Sequence, residues 1–303
     1  MTAQPTLIWR SGLFVPVNVE RFLAKASSRG ADVIQLDLED SIAPADKAEA
    51  RRAVGPAVTR LLAEGRSDVF IRINQPLELA IRDLEAAVLP GVAGITVTKA
   101  EGPDHIRLLD ELVTRLEQRR GIAAGTLRFV ILIEAPGPLQ RAHAIAAASP
   151  RNFALSLGSE DYATAVGGEP GPELLHFPKM QILQAARAHG LQPFGTLGGV
   201  AGFADTEGQV QAVRRAATLG FTGSSAIHPA QIPALNAGFT PSAEAVARAG
   251  TIVALDAEAA AAHRGAWAFE GKMIDIPIVE RAQALLARAH AIAQREARHQ
   301  AAR

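Results

Sequence analysis

Short apolar or β-branched runs alternate along the chain with longer stretches whose apolar residues recur at three-and-four spacing. The runs span residues 7–15, 33–38, 69–73, 94–97, 129–133, 153–157, 192–195 and 223–227. Each is nearly continuous in apolar residues, the pattern of parallel strands covered on both faces. The stretches between them, 19–29, 45–63, 77–87, 105–118, 138–148, 173–189 and 206–219, predict amphipathic helices. Gly30, Gly190 and Gly220 stand just after three of these, where a left-handed residue stops a helix. Eight strands alternating with helices predict an α/β fold, a (β/α)8 barrel in preference to an open doubly wound sheet. No Gly-x-Gly-x-x-Gly fingerprint opens a helix after the first strand, which weakens the open-sheet, dinucleotide-binding alternative.

Beyond Gly238 the pattern changes. Residues 242–262 and 277–297 read as Ala-rich helices, separated by a segment, 263–275, that holds Trp267, Gly265 and Gly271. The polar end, 295–303, is expected to fray. Length alone suggests about two domains at ~150 residues each, but an α/β barrel commonly takes roughly 200–250 residues. The reading is one barrel, residues 1–240, followed by a helical extension, 241–303, that serves as packing appendage or lid.

Composition narrows the chemistry. The chain has 303 residues, with 31 Lys and Arg against 31 Asp and Glu, so it offers no basic field to nucleic acid or an anionic membrane. Aromatics make up 5%, too few to expect stacking platforms for single strands. No apolar run approaches the ~20 residues of a membrane helix. Met1-Thr2-Ala3-Gln4-Pro5 lacks the basic start and apolar stretch of a signal peptide, and a cytoplasmic protein is expected. The absence of cysteine excludes disulfides, zinc–thiolate sites, iron–sulfur clusters and thiol nucleophiles.

The predicted strand ends are unusually polar. They read Leu36-Asp37-Leu38-Glu39-Asp40-Ser41, Ile71-Arg72-Ile73-Asn74, Thr98-Lys99-Ala100-Glu101, Ile133-Glu134-Ala135-Pro136-Gly137 and Leu157-Gly158-Ser159-Glu160-Asp161. A barrel gathers such ends at one mouth, where the chemistry of this architecture lies. Crowded carboxylates repel and call for a cation, and oxygen donors without thiols or clustered histidines point to Mg²⁺ or Mn²⁺. Glu134 and Asp161, on neighbouring strands, are the first choices as ligands. A plainer alternative stands beside each residue. Asp161 can cap the helix that follows, Arg72 can simply pair with Glu39 or Asp40, and Lys99 can pair with a neighbouring carboxylate. His228, followed by Pro229, reads as a structural hydrogen-bonder. Arg10 can form a surface salt bridge. Trp267 and Phe269 read as anchors of the extension.

These residues carry a resemblance. Arg10-Ser11-Gly12-Leu13-Phe14-Val15-Pro16, Gly30-Ala31-Asp32, and Leu36 to Ser41 with Lys47 and Ala50-Arg51 behind it resemble the opening of the HpcH/HpaI aldolase and citrate lyase superfamily, in its citrate lyase β-subunit-like branch of coenzyme A ester lyases. The likeness continues through Arg72-Ile73-Asn74, Lys99-Ala100-Glu101, Ile133-Glu134, Gly158-Ser159-Glu160-Asp161, Ile227-His228-Pro229-Ala230-Gln231 and Gly271-Lys272-Met273-Ile274-Asp275. It implies a TIM barrel of the phosphoenolpyruvate/pyruvate type with a C-terminal helical lid, in a homotrimer or a dimer of trimers. It implies Mg²⁺ on Glu134 and Asp161, and Arg72 on substrate oxygens. The keto acid carboxylate would lie on backbone N–H groups around Gly158, Ser159 and Glu160. Asp275 would reach a neighbouring subunit's site as acid or base, and Asp37, Glu39, Asp40, Lys99 and Arg10 would be supporting or coenzyme A-binding residues.

The implied activity is cleavage or formation of a β-hydroxyacyl-CoA ester such as malyl-, citramalyl- or citryl-CoA. Its alternatives are a pyruvate-type aldolase acting without coenzyme A, a CoA thioesterase on the same metal site, and a non-catalytic barrel subunit. The sequence departs from the family pattern at Thr98, at Ala135-Pro136-Gly137, at Gly223-Ser224-Ser225 and at Val17-Asn18, all near the mouth.

Overall fold

The computed structural model of the protein describes residues 7–197, 206–261 and 267–301. It divides into two compact units, Trp9–Phe239 and a second that joins Leu7 and Ile8 to the chain from Thr240 onward. The first unit holds strands β1 (Ser11–Pro16), β2 (Val33–Asp37), β3 (Asp68–Ile73), β4 (Gly94–Val97), β5 (Arg128–Ile133), β6 (Asn152–Leu157), β7 (Gln192–Phe194) and β8 (Ser224–Ala226). Its helices are α1 (Glu20–Leu23), α2 (Lys47–Glu64), α3 (Leu77–Ala87), α4 (Pro103–Arg119), α5 (Pro136–Gln140), α6 (Ala142–Ala146), α7 (Ser159–Val166), α8 (Pro172–Ala188), α9 (Thr206–Leu219) and α10 (Ile232–Phe239). Neighbouring strands pair in parallel, in the order β7-β6-β5-β4-β3-β2-β1-β8. A parallel bridge between Phe194 and Gly223, with the Gly195 N–H donating to the Gly223 carbonyl at 2.8 Å, joins the two ends. The (β/α)8 barrel expected from the alternation is the fold observed.

Strand parity decides what faces the axis. Val33, Phe70, Val130, Leu132, Ala154 and Phe194 form one buried cluster with Trp9. Their chain neighbours Ile34, Leu36, Ile71, Ile131, Ile133 and Leu155 belong to another, shared with the helices. With a period of two, the first set lines the barrel and the second lies under the helical coat. The same count carries Asp37, Arg72 and Glu134 to inward positions at the C-terminal ends of β2, β3 and β5. Midway down, Gln35 donates to Ser225 Oγ at 2.9 Å and accepts from Thr96 Oγ1 at 2.6 Å.

The second unit comprises α11 (Ala243–Ala261), a two-stranded antiparallel hairpin of β9 (Trp267–Phe269) and β10 (Lys272–Ile274), and α12 (Ile276–Ala301). Ile252, Ile274, Val279 and Ala282 form its core, with Trp267 and Phe269 packed against it.

Several boundaries differ from the expectation. β1 begins at Ser11, because Trp9 and Arg10 are turned to other work at the N-terminal end of the barrel. Trp9 stacks edge-on against Phe70 and donates to Asp68 at 2.6 Å. The helix expected at 138–148 is two short ones, α5 and α6, and 19–29 holds α1 followed by a short 3-10 turn over Ser27–Arg29. Helix α7 was not anticipated, since only Ser159, Tyr162 and Ala163 of it are buried and no apolar stripe announces it. The polar end does not fray from 295: α12 runs to Ala301, and Arg295 is buried. Residues 1–5, read for a leader, and 263–266 of the inter-helix segment lie outside the described residues.

Candidate active site

The mouth is organised around Arg72. Asp37 and Arg72 are register partners on adjacent strands. Arg72 Nε and Nη2 donate to the two Asp37 oxygens at 2.7 and 2.6 Å, a bidentate clamp that fixes the guanidinium plane. Its Nη1 lies 3.0 Å from Glu39, and the cation sits 4.4 Å over the Phe14 ring. Burial alone would raise the Asp37 carboxyl, but the hydrogen bonds and charge of Arg72 outweigh it, and the group lies below the usual carboxylate range. Asp37 also accepts the N–H groups of Glu39 and Ser41, at 2.8 and 3.2 Å. The plain pairing of Arg72 with Glu39 is therefore present as an ion pair, while the guanidinium's hydrogen bonds go to Asp37.

Lys99 follows β4 in the left-handed region, with φ of 47°, a conformation that a non-glycine residue keeps only where its surroundings over-determine it. Those surroundings are visible. Its N–H donates to Glu134 Oε2 at 3.0 Å. Its ammonium pairs with Glu39, lies 3.2 Å from Asp40 and reaches 4.0 Å from Asp161. Burial would lower the ammonium, yet the Glu39 partner prevails and raises it.

Glu134, just past β5, is 7% exposed. Its carboxyl is pushed up to about 8, first by burial and then by the charge of Asp161, against the opposing pull of Lys99. Gly158 makes this placement possible: a Cβ there would lie 2.4 Å from Glu134 Oε1. Gly158 precedes α7, and Glu160 and Asp161 occupy the first turn of that helix, where its N-terminal dipole favours negative charge. Arg72, Glu134, Gly158, Ser159, Glu160 and Asp161 line one cavity of about 430 Å³ with Asp40. Among the described residues no group of three or more His, Cys, Asp or Glu is placed to hold a metal, so any cation would rest on the carboxylate pair. Two carboxylates are a usual protein share for Mg²⁺, which keeps its other positions for water and substrate oxygens.

Arg10 corrects an expectation. It precedes β1, so it stands at the end of the barrel opposite the mouth. It is 4% exposed, and its Nε and Nη2 grip Asp32, each at 3.0 Å. It is neither a surface salt bridge nor placed to meet coenzyme A at the mouth. The sequence locates Arg10 beside a strand without saying at which end. His228 is the structural hydrogen-bonder expected: its Nδ1 accepts from the Ala230 N–H at 3.2 Å and caps a short 3-10 turn. Asp275 lies in the other unit. It is exposed, and its carbonyl accepts the Ile278 and Val279 N–H groups at the start of α12.

Two features escaped the sequence reading. Lys179 on α8 lines the mouth cavity, donates to the Thr196 carbonyl at 2.7 Å and is pushed down to about 8 by burial, with Glu160 opposing. Its signal was a charged residue on the apolar stripe formed by Leu175, Pro178 and Ile182. An adjoining cavity of about 610 Å³ shares Phe14 and Ile227 with the first and is lined by Arg21, Lys25 and Arg29 and by no carboxylate. The signal there was three cations at intervals of four residues just after β1.

Fold and site define an α/β-barrel protein with a carboxylate pair and clamped cations at the C-terminal mouth. The chain belongs to the HpcH/HpaI aldolase/citrate lyase family, whose pattern it matches over residues 10–229. It is 35% identical to citrate lyase subunit beta of Haemophilus influenzae over 284 residues, covering 92% of this chain and 96% of that protein. It is 34% identical to the L-malyl-CoA/beta-methylmalyl-CoA lyase of Cereibacter sphaeroides, over 93% of this chain and 95% of that one. The crystal structure of protein CitE from Mycobacterium tuberculosis in complex with magnesium, acetoacetate and coenzyme A matches with a TM-score of 0.74 at 32% identity, covering 95% of this chain and all of that one.

Proposed function

We propose that the protein is a Mg²⁺-dependent carbon–carbon lyase that cleaves, or in reverse forms, a β-hydroxyacyl-CoA ester, giving an acyl-CoA and a keto acid. The observation that carries this reading is the single cavity in which Glu134, Asp161, Arg72 and the start of α7 meet. The residues fit the metal. Burial and the Asp161 charge hold Glu134 up at about 8, so the pair is strained as two anions and relieved by a hard cation. When bound, Mg²⁺ or Mn²⁺ supplies a Lewis acid for the keto acid oxygens.

The chain's own groups do the rest. The N–H groups of Ser159 and Glu160 at the helix start receive the keto acid carboxylate. The guanidinium of Arg72 faces the thioester oxygen and stabilises it as it becomes an enolate, with a charge that deprotonation cannot remove. Asp275 is assigned the proton transfers: in cleavage it takes the hydroxyl proton and delivers a proton to the enolate carbon of the leaving acyl-CoA, and in condensation it takes a proton from that α-carbon and delivers one to the new alkoxide. The carboxylate-free cavity with Arg21, Lys25 and Arg29 suits the phosphates of coenzyme A, and it favours a CoA ester over a free aldol substrate.

The working form proposed is a cytoplasmic homo-oligomer, a trimer or dimer of trimers, in which Asp275 serves a neighbouring copy. No described helix is long and apolar enough to cross a membrane. A screen of malyl-, citramalyl- and citryl-CoA with Mg²⁺, resolving keto acid plus acyl-CoA from free acid plus coenzyme A, tests the reading. Hydrolysis alone makes it a thioesterase, and turnover only of aldols lacking coenzyme A makes it an aldolase.

Asp275→Asn is expected to leave the Mg²⁺ affinity unchanged and to lower kcat by about 10²- to 10⁴-fold, the span of acid–base contributions. Mixing Asp275→Ala with Arg72→Lys subunits should restore part of the activity. An unchanged kcat removes Asp275 from the mechanism, and no rescue after demonstrated subunit exchange confines the site to one chain.

A further inference from the structure

Four polar residues lie behind the mouth without lining its cavity. Lys47 opens α2, Arg51 follows one turn later, Asn74 leaves β3, and Asp83 lies fully buried on α3. The Lys47 ammonium donates to the carbonyls of Leu38 and Glu39 at 2.8 and 2.7 Å and to Asn74 Oδ1 at 2.8 Å. Asn74 Nδ2 donates to the Leu38 carbonyl at 2.8 Å and to Asp83 at 2.6 Å. Asp83 further accepts the Asn74 N–H at 2.8 Å and Arg51 Nε at 2.7 Å. Leu38 in turn donates its N–H to the Arg72 carbonyl at 3.0 Å.

The network therefore ties together two chain segments: the one carrying Asp37 and Glu39, and the one carrying Arg72. Buried charged networks are poor sources of stability, since well-packed apolar groups commonly do as well. What this one supplies is register. Leu38 and Glu39 present two carbonyls that no strand partner covers on the loop side, and a single ammonium with three donors fixes both against Asn74. Glu39 is thereby held where its carboxylate meets Arg72 Nη1. Lys47, Asn74, Asp83 and Arg51 have no place in the lining of the cavity, so any effect they have on turnover passes through what the Leu38–Glu39 segment holds, the Arg72 clamp and the Lys99 ion pair, and the cycle with Arg72 tells the first from the second.

We propose that the Lys47–Asn74–Asp83–Arg51 network is a positioning element for the reaction, which sets the aim of the Arg72 guanidinium by locking the Leu38–Glu39 backbone to the end of β3. The proposal rests on the lyase reading and on the role given there to Arg72. Its test is a double-mutant cycle on the CoA ester turned over fastest among malyl-, citramalyl- and citryl-CoA. Lys47→Met alone is expected to lower kcat by about 10- to 100-fold, the scale of an ångström-sized misplacement, with KM within about threefold. The Mg²⁺ affinity should be unchanged. In an Arg72→Lys background, where the aim is already lost, Lys47→Met should lower kcat less than threefold further, a failure of additivity that a structural role would not produce.

Asn74→Ala is the second variant, for use if Lys47→Met does not fold, and the same cycle is expected for it. Additive losses, or a lowered melting temperature with unchanged kcat in the folded protein, overturn the proposal. If Arg72→Lys is itself fully active, the role of Arg72 in the lyase reading fails first, and the two failures are told apart.

Discussion

Replacing Glu134 with Gln is expected to lower turnover by about 10³-fold or more, the scale of losing an electrostatic stabiliser from a buried site, and to abolish the response to Mg²⁺ in calorimetry. The substitution keeps the shape and the N–H bond from Lys99 but removes the charge. Wild-type protein carries a second signature. Glu134 has its carboxyl at about 8 against an ordinary 4.5, so the folded, metal-free chain holds a proton there that the unfolded chain has released. Stability from this group is therefore undiminished below pH 4.5 and declines as pH rises toward 8. A divalent cation reverses the effect by displacing the proton. At pH 7, Mg²⁺ binding should release about one proton, read as a dependence of the calorimetric heat on the ionisation enthalpy of the buffer. The rise in melting temperature given by Mg²⁺ should grow from pH 6 to pH 8.5. The Glu134→Gln variant should show neither effect. Full activity in EDTA, or Mg²⁺ binding without proton release at pH 7, sinks the assignment of Glu134 as a ligand. Asp161→Asn serves as the companion, with loss of metal response and a smaller effect on stability, because Asp161 is 46% exposed.

Much of this site was legible because strand parity is a strict code. Once residues 33–38 and 69–73 are strands, their polar ends gather at one mouth, and the period of two seen in the barrel turns Asp37 and Arg72 inward and side by side. What was not legible is which charge clamps which. Asp37 was expected only as a supporting residue, yet it is the bidentate partner, because parallel register pairs it with Arg72 and leaves Glu39 to the outer nitrogen. Register is a property of two strands together, and no single run of residues states it. Arg10 was misplaced for a related reason. A strand's direction relative to the mouth follows from where the run begins, and the run from 7 to 15 hid four residues that precede β1. Lys179 was overlooked because a helical stripe of apolar residues hides a lysine that burial turns into a cavity group. The hairpin Trp267–Ile274 escaped because two three-residue strands around Glu270 and Gly271 show too short an alternation to count.

Arg72→Lys is the second large effect, and it separates charge from geometry. Lysine keeps the positive charge within reach of Asp37 but is a compact point charge on a flexible stem, without the planar fork. It cannot hold both Asp37 oxygens, meet Glu39 and still aim donors into the cavity. The expected result is a kcat lower by about 10²- to 10³-fold, with the Mg²⁺ affinity retained, since neither Glu134 nor Asp161 touches Arg72. Exchange of acyl-CoA α-hydrogens with solvent deuterium, which reports enolate formation without carbon–carbon chemistry, should fall in parallel. Removing the cation outright is a poorer test. Asp37 is 1% exposed, and Arg72→Met would leave its carboxylate buried and uncompensated, a penalty of about 3–5 kcal/mol that threatens the fold itself. The lysine variant should instead melt close to wild type, because Asp37 keeps a counter-charge. A lysine variant with kcat within about threefold of wild type would remove the guanidinium's directed donors from the mechanism, and with them the role given to Arg72. A variant that loses kcat while retaining full α-hydrogen exchange would move Arg72 from the enolate to the carbon–carbon step, where the keto acid oxygens are the groups it faces.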